Sequence, residues 1–305
     1  MQSISHKANQ LLFLLIKLLI VGCAFYFIYN QLANNNQLNW ELFLEKFNKN
    51  KSVLGISFLF FLSLLNRFFE ILKWQNLVSF IKKISLFEAT NQVLSALTAG
   101  LFTPNGIGEY AGKALFFEKN QTKNVIFLNL ICNGVQVLVS LFFGIIGLFY
   151  LGYFKWDLIL IATIIGVLSL GFTLKKFDIK GYSIEKIIQK LNGIPKKIHQ
   201  KNFYLAVCRY LVFSHQYYFL FLAFDVQLPY FTLMAVISSV YFLASSLPTF
   251  QFFDFAVKGS VALFFFGILG VNEWVVIFIS TIFWFLNLVI PAIIGSYFVL
   301  VFKRK

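Results

Sequence analysis

The stretch from Leu97 to Phe117, LTAGLFTPNGIGEYAGKALFF, is apolar on both sides of a break at Thr103-Pro104-Asn105-Gly106 and then carries a carboxylate, Glu109. In hydrocarbon a backbone must satisfy its own hydrogen bonds. Such a break is therefore tolerated only where protein buries it or a wet cavity lies alongside. The arms, Phe87 to Phe102 and Ile107 to Phe117, are each shorter than the ~20 residues that cross a bilayer, so a re-entrant hairpin fits better than two crossings. After the break, free N–H groups at the start of the second arm would suit an anion, and Gly106 and Gly108 would let it approach the backbone. The plainer alternative is that Glu109 and Lys113, four apart on one helix, simply pair with each other. Ionisable groups at membrane depth favour the functional reading.

Hydrocarbon is the expected surroundings because 59% of the 305 residues are hydrophobic and 12% charged, too little polar surface for a soluble globule. The net charge of +14 would suggest nucleic acid in a soluble chain. Here the basic residues lie mostly between apolar runs and report topology, so no nucleic-acid partner is expected. Cys23, Cys132 and Cys208 fall inside apolar runs without metal-ligand spacing, and no metal or cofactor is expected.

Taken in order, Leu11 to Tyr29 reads as a first crossing and Trp40, Phe43, Leu44 and Phe47 as a short surface helix. Val53 to Trp74 returns inward with Asn66, Arg67, Glu70 and Lys73 in its last turns. Lys82, Lys83, Lys119 and Lys123 bracket the hairpin with basic, cytoplasmic loops. Val125 to Gly152 crosses outward with Asn129, Asn133, Gln136 and Ser140 on one stripe that should face the bundle. Trp156 to Leu174 returns to a lysine-rich loop that holds a second amphipathic stripe, Ile184, Ile187, Ile188 and Leu191. Phe203 to Phe224 crosses outward with Arg209 and His215. The histidine reads as a packing residue or, less simply, a proton carrier.

Tyr230 to Phe266 then repeats the broken pattern, with a break at Ser245 to Thr249 and an arm that opens on Asp254 and Lys258. Trp274 to Phe302 is the last crossing, bent at Pro291. Shifting 109 onto 254 aligns Lys113 with Lys258 and the elements of the two halves one by one. The expected fold is a single all-α, polytopic transmembrane domain over 1–305, with about six spans and two re-entrant helical hairpins. Its halves, 1–152 and 153–305, form an inverted repeat, an arrangement found in many transporters. Both ends of the chain are expected on the cytoplasmic side of the cytoplasmic (inner) membrane.

The Pro-x-x-x-Gly-Glu pattern of Pro104, Gly108 and Glu109, with the Lys73-Trp74 pair after Arg67, resembles the lysylphosphatidylglycerol synthase transmembrane-region family of lipid flippase-like proteins. The resemblance covers nearly the whole chain. The family usually has an Arg about three residues after the Glu, where this chain has Lys113 at four, and glycines at the second break, where Phe250, Gln251, Phe252 and Phe253 stand. It implies handling of membrane lipids. Lysyl transfer is implied to need a soluble C-terminal domain, so this chain is not expected to aminoacylate lipids alone.

The leading expectation is movement of an anionic phospholipid or a polyprenyl-phosphate-linked lipid. Arg67 and Arg209 lie roughly 10 Å inside their spans at 1.5 Å per residue and could hold a phosphate or snorkel to the interface. Pro104, Asn105, Gly106, Gly108, Glu109, Lys113, Asp254 and Lys258 complete the candidate site. Expected partners are membrane lipids with anionic headgroups, with a homo-oligomer left open. A membrane-embedded transferase using a lipid-linked donor is the alternative from another class, though Glu41 and Glu45 are the only acidic pair expected outside and no Asp-x-x-Asp or His-Glu-x-x-His occurs. A scaffold for a partner enzyme is a third.

Overall fold

A computed structural model describes residues 53–101, 103, 106–175, 183–247 and 249–302, together with Leu15, Tyr26 and Tyr29. The expected first surface helix, most of the expected first crossing, and Pro104, Asn105 and Pro248 lie outside the described residues. Within them the regular structure is helical: α1 (Val53–Val78), α2 (Leu86–Gly100), α3 (Ile107–Ala114), α4 (Thr122–Tyr150), α5 (Phe154–Thr173), α6 (Ile184–Asn192), α7 (Lys196–Ala223), α8 (Tyr230–Ser246), α9 (Asp254–Ile268), α10 (Glu273–Trp284) and α11 (Ile290–Val301). Local signals set several of the boundaries. Ser85 and Glu88 close a capping box at the start of α2, and Gly106, at φ +65°, supplies the left-handed residue that starts α3.

Five helical segments among the described residues are long and apolar enough to cross a membrane: Val53–Val78, Lys119–Tyr150, Phe154–Thr173, Gln251–Ile268 and Glu273–Val301. Two differences from the sequence expectation stand out. Helix α7, which contains the expected crossing Phe203 to Phe224, is not among these segments, because Arg209, Ser214, His215 and Gln216 lower the hydropathy of its apolar stretch. The second arm after Ser245, expected as part of a re-entrant hairpin, reaches a spanning length once the 3₁₀ turn Gln251–Phe253 runs directly into α9. Large apolar side chains such as Phe61, Ile165, Phe172 and Leu300 stand bare on the outside, a surface that suits lipid and not water.

Helices α1 and α7 form the axis of the molecule and run antiparallel, as their contacts show. Phe58 packs on Phe219, Gln216 donates to the Leu59 carbonyl, Arg209 reaches Asn66, and Asn76 donates to the Ile198 carbonyl. Helices α2 and α3 begin and end near one end of this pair, where Ile81, Ile84, Ala114 and Phe117 share a core cluster with Ile194 and Ile198. Helices α8 and α9 begin and end near the other, where 225–228 and 269–272 line one small cavity. The two breaks meet in between: the Phe252 N–H donates to the Leu101 carbonyl at 3.2 Å, and Gln251 fills the space beside Gly100 and Gly106.

Each broken pair leans on the long helix of the other half, α2 on α11 and α8 on α4. Both crossings are close because a glycine sits at each. A Cβ on Gly144 would lie 2.2 Å from the Cβ of Phe242, and one on Gly295 would lie 2.2 Å from the Leu94 carbonyl oxygen. Small residues at helix crossings let backbones approach where no water is available to drive association.

Candidate functional site

The axis pair carries the first part of the site. Arg67 and Glu70 face the same way because they are three apart on α1, and they form an ion pair. Arg209, from α7, shares the same carboxylate at 3.3 Å and donates from Nε to Asn66 at 2.9 Å. One carboxylate thus answers two guanidinium groups. Arg67 also donates to the backbone carbonyl of Asn287, and that acceptor is free for a local reason. Pro291, four residues on, has no N–H to give it, and residues Phe285–Val289 widen into a π-helical turn. Ser63 takes the neighbouring freed carbonyl, Leu286, at 2.7 Å. Such turns mark functional places in helices more often than chance. The missing N–H of Pro291 and the widened turn before it thus leave two backbone oxygens that side chains of α1 take.

Helix α3 supplies the second part. Lys113, with no exposed surface, bonds Glu109 and Asn129 at 2.7 Å each and lies over the Trp74 ring at 4.7 Å. Trp74 is fixed by donating to Gln92 at 2.8 Å. Lys73, equally buried, donates to Gln136, which in turn donates to the Ala206 carbonyl. The polar stripe of α4 faces inward as expected: Asn129 holds Lys113, Asn133 lies 3.4 Å from the Tyr110 hydroxyl, and Ser140 lines the cavity described next.

A cavity of about 320 Å³ joins these parts, with Arg67, Glu70, Glu109, Arg209, Asp254 and Lys258 all on its wall. Asp254 and Lys258 pair at 2.5 Å. The rest of the wall is mixed, with Tyr241, Gln251, Phe283, Trp284 and Asn287 among its residues. Among the described residues the Tyr241 hydroxyl, Gln251 Oε1, Trp284 Nε1 and Arg67 Nε are buried with no partner. Leaving a buried polar group unmet costs ~1–3 kcal/mol each. The cluster also holds five cations, Arg67, Lys73, Lys113, Arg209 and Lys258, against three carboxylates, Glu70, Glu109 and Asp254. Uncompensated positive charge away from water is costly unless an anion answers it.

The structure brings Arg67, Glu109, Arg209, Asp254 and Lys258 to one cavity. Lys113 stands behind its wall, held by Glu109. The anion seat expected at the start of α3 is filled by protein instead. Thr103 Oγ1 accepts from the Gly108 N–H at 2.8 Å, and the Glu109 N–H goes to the Gly106 carbonyl at 2.9 Å. A Cβ on Gly108 would lie 2.1 Å from the Ala99 carbonyl oxygen, so that glycine serves the tight contact between α2 and α3. Gly106 faces Gln251. Pro104 and Asn105 lie outside the described residues. His215 is peripheral, bonded to the Leu211 carbonyl and the Tyr230 hydroxyl.

Sequence reading missed the site roles of Glu70, Tyr241, Gln251, Trp284 and Asn287. Only Glu70 had a usable signal, its three-residue spacing from Arg67. No protein-family model matches the chain, and no curated protein matches it in sequence.

Proposed function

We propose that the protein moves an anionic lipid across the membrane in which its apolar helices sit. What supports this reading is the pair of guanidinium groups that share the single carboxylate of Glu70 on the wall of a cavity that both halves build, where the tips of two broken helix pairs from opposite ends of the bundle touch. In this reading α2–α3 and α8–α9 are re-entrant hairpins, and the α1 to α4 and α7 to α11 segments are inverted halves. The two halves rock about the antiparallel α1–α7 pair, so that the cavity opens first to one leaflet and then to the other. Arg67 and Arg209 hold the phosphate, and Glu70 keeps both guanidinium groups in register while leaving one positive charge for the ligand. Glu109 and Asp254 balance Lys113 and Lys258, so the cavity is not so cationic that it never releases its cargo. Kinship with the lysylphosphatidylglycerol synthase transmembrane-region family, and a place in the cytoplasmic membrane with both ends of the chain inside, belong to the same proposal.

The test is a scrambling assay with purified protein in liposomes and an acyl-labelled fluorescent anionic phospholipid, quenched from outside by dithionite. Wild-type protein is expected to expose inner-leaflet lipid faster than protein-free vesicles do. Arg209→Gln, with its charge removed from the pair, is expected to slow that exposure by about tenfold, the equivalent of one lost charge-assisted contact. Rates equal to those of empty vesicles would overturn the reading. Metal-dependent turnover of a lipid-linked sugar would replace it with the transferase alternative.

A further inference from the structure

The cavity leaves helix α6, at the end of the molecule where the lysines gather, without a task. The sequence of α6, IEKIIQKLN, puts Ile184, Ile187, Ile188 and Leu191 on one face by three- and four-residue spacing and every charged residue off it. Ser183 fixes its start by accepting from the Lys186 N–H at 3.3 Å. In a helix packed inside a bundle such a face would be covered. Here Ile184, Ile187 and Ile188 are 38%, 42% and 46% exposed.

The two ends of α6 show how it lies. At its start the Glu185 N–H donates to the Lys175 carbonyl at 3.0 Å, just beyond α5, and Ile184 Cδ1 would lie 3.6 Å from a Cβ on Gly171. At its end the Lys190 ammonium stands 4.7 Å from the Phe127 ring centroid, in the first turns of α4, and Leu191 packs on the core cluster that holds Ile194 and Val125. The helix therefore runs from the last turn of one membrane-length apolar segment to the first turns of another. It lies across their ends, not along them. Because Ile184 reaches back to Gly171, inside α5, the apolar face looks toward the spans.

Over residues 183–201 five lysines, Lys186, Lys190, Lys196, Lys197 and Lys201, are exposed against one carboxylate, Glu185. An aliphatic face at the rim of the hydrocarbon, with ammonium groups along its flank, is the chemistry that an anionic leaflet holds. An acidic protein surface would answer the lysines and leave the isoleucines in water.

We propose that α6 is an interfacial helix docked on the leaflet at the basic end of the molecule, its isoleucines in the hydrocarbon edge and its lysine flank on anionic headgroups, bound by charge and not by headgroup structure. The partner is the bilayer surface and not the cargo of the cavity, so the inference stands whether or not lipid is moved. Leu191 and Ile194 share their core cluster with Ala114 and Phe117, so docking also braces the end of α3.

The test uses the full chain, with its native cysteines replaced, in nanodiscs of phosphatidylcholine alone or mixed with phosphatidylglycerol or phosphatidylserine at equal charge. An environment-sensitive fluorophore is placed through Ile188→Cys or, on the polar side, Gln189→Cys, and lipid spin-labelled near the headgroup is the quencher. Quenching at Ile188→Cys is expected to rise about threefold with either anionic lipid. The rise should vanish in about 0.5 M salt, where charges are screened within about 4 Å, and in the added pair Lys186→Gln with Lys190→Gln. The salt arm needs no change to the flank, so it decides the matter even if that pair disturbs folding. Equal quenching in all three lipid mixtures, or a label at Gln189→Cys quenched as strongly as that at Ile188→Cys, overturns the proposal. A response to phosphatidylglycerol without one to phosphatidylserine overturns recognition by charge alone. Shielding of the label by polyglutamate, with no response to lipid, would overturn the proposal in favour of an acidic protein partner.

Discussion

Lys113 depends on its neighbours more than any other side chain in the site. It is a full charge with no solvent, held by one carboxylate, one amide oxygen and the face of an indole. Removing one partner of a buried ion pair costs ~3–5 kcal/mol because the other charge is left unanswered, whereas removing both costs much less. Lys113→Met is therefore expected to lower the thermal unfolding temperature in detergent sharply. Lys113→Met combined with Glu109→Gln is expected to regain most of the loss. Equal losses in the single and double variants would mean that the pair does not hold α3 in place. Glu70→Gln should act in the opposite sense on ligand: with its shared carboxylate neutralised, the arginine pair gains a full unit of net positive charge. Retention of anionic lipid in native mass spectrometry should rise, while transport slows through late release. The charged residues of the site were legible in sequence because a carboxylate or guanidinium is conspicuous in an apolar chain. Tyr241 and Trp284 were not, because aromatic residues make up 19% of the chain and most of them have nothing to do with the cavity.

The π-helical turn shows how one missing N–H shapes an element. Pro291 frees the Asn287 carbonyl, and Arg67 takes it. Pro291→Ala restores a competing donor, so α10 and α11 should gain order, seen as slower amide exchange across Phe285–Val289. Arg67 should lose an anchor, seen as weaker anionic-lipid retention. Unchanged exchange and retention would show that the turn is held by something else. At the crossings, Gly295→Ala sets a Cβ 2.2 Å from a backbone oxygen of α2 and is expected to cost about 1–3 kcal/mol. Gly166→Ala, where a Cβ meets nothing within 4 Å, is the control and should be neutral. The helices themselves were readable from periodicity and charge placement, as was the inward polar stripe of α4. The closing of the α3 start by Thr103 was not, because whether a threonine caps its neighbours or faces outward is decided by how tightly α2 and α3 pack.

Across the whole molecule, the contact between the two breaks is the feature that most directly concerns movement. After replacement of the native cysteines, a Leu101→Cys and Phe252→Cys pair should cross-link under mild oxidation, since the backbones there are hydrogen-bonded. Cross-linking should halt lipid exposure reversibly, with recovery on reduction. Efficient cross-linking with undiminished transport would rule out separation of the tips as a step. The correspondence of Glu109 with Asp254 and of Lys113 with Lys258 was legible because acidic and basic residues recur at one offset. The meeting of the tips was not, because no local pattern tells how far a hairpin reaches into a bundle.

The reciprocal embrace of α2 by α11 and of α8 by α4 has a consequence for how such a chain can be divided. Each half packs its broken pair only in part, leaving a face of α2 for α11 and a face of α8 for α4, so a polypeptide cut after Gly152 leaves two fragments that each expose the surface the other was shaped to cover. Made apart, they should be degraded. Made together in one cell they should find each other and restore a working whole, as the two sides of a zip are useless until they are drawn into register.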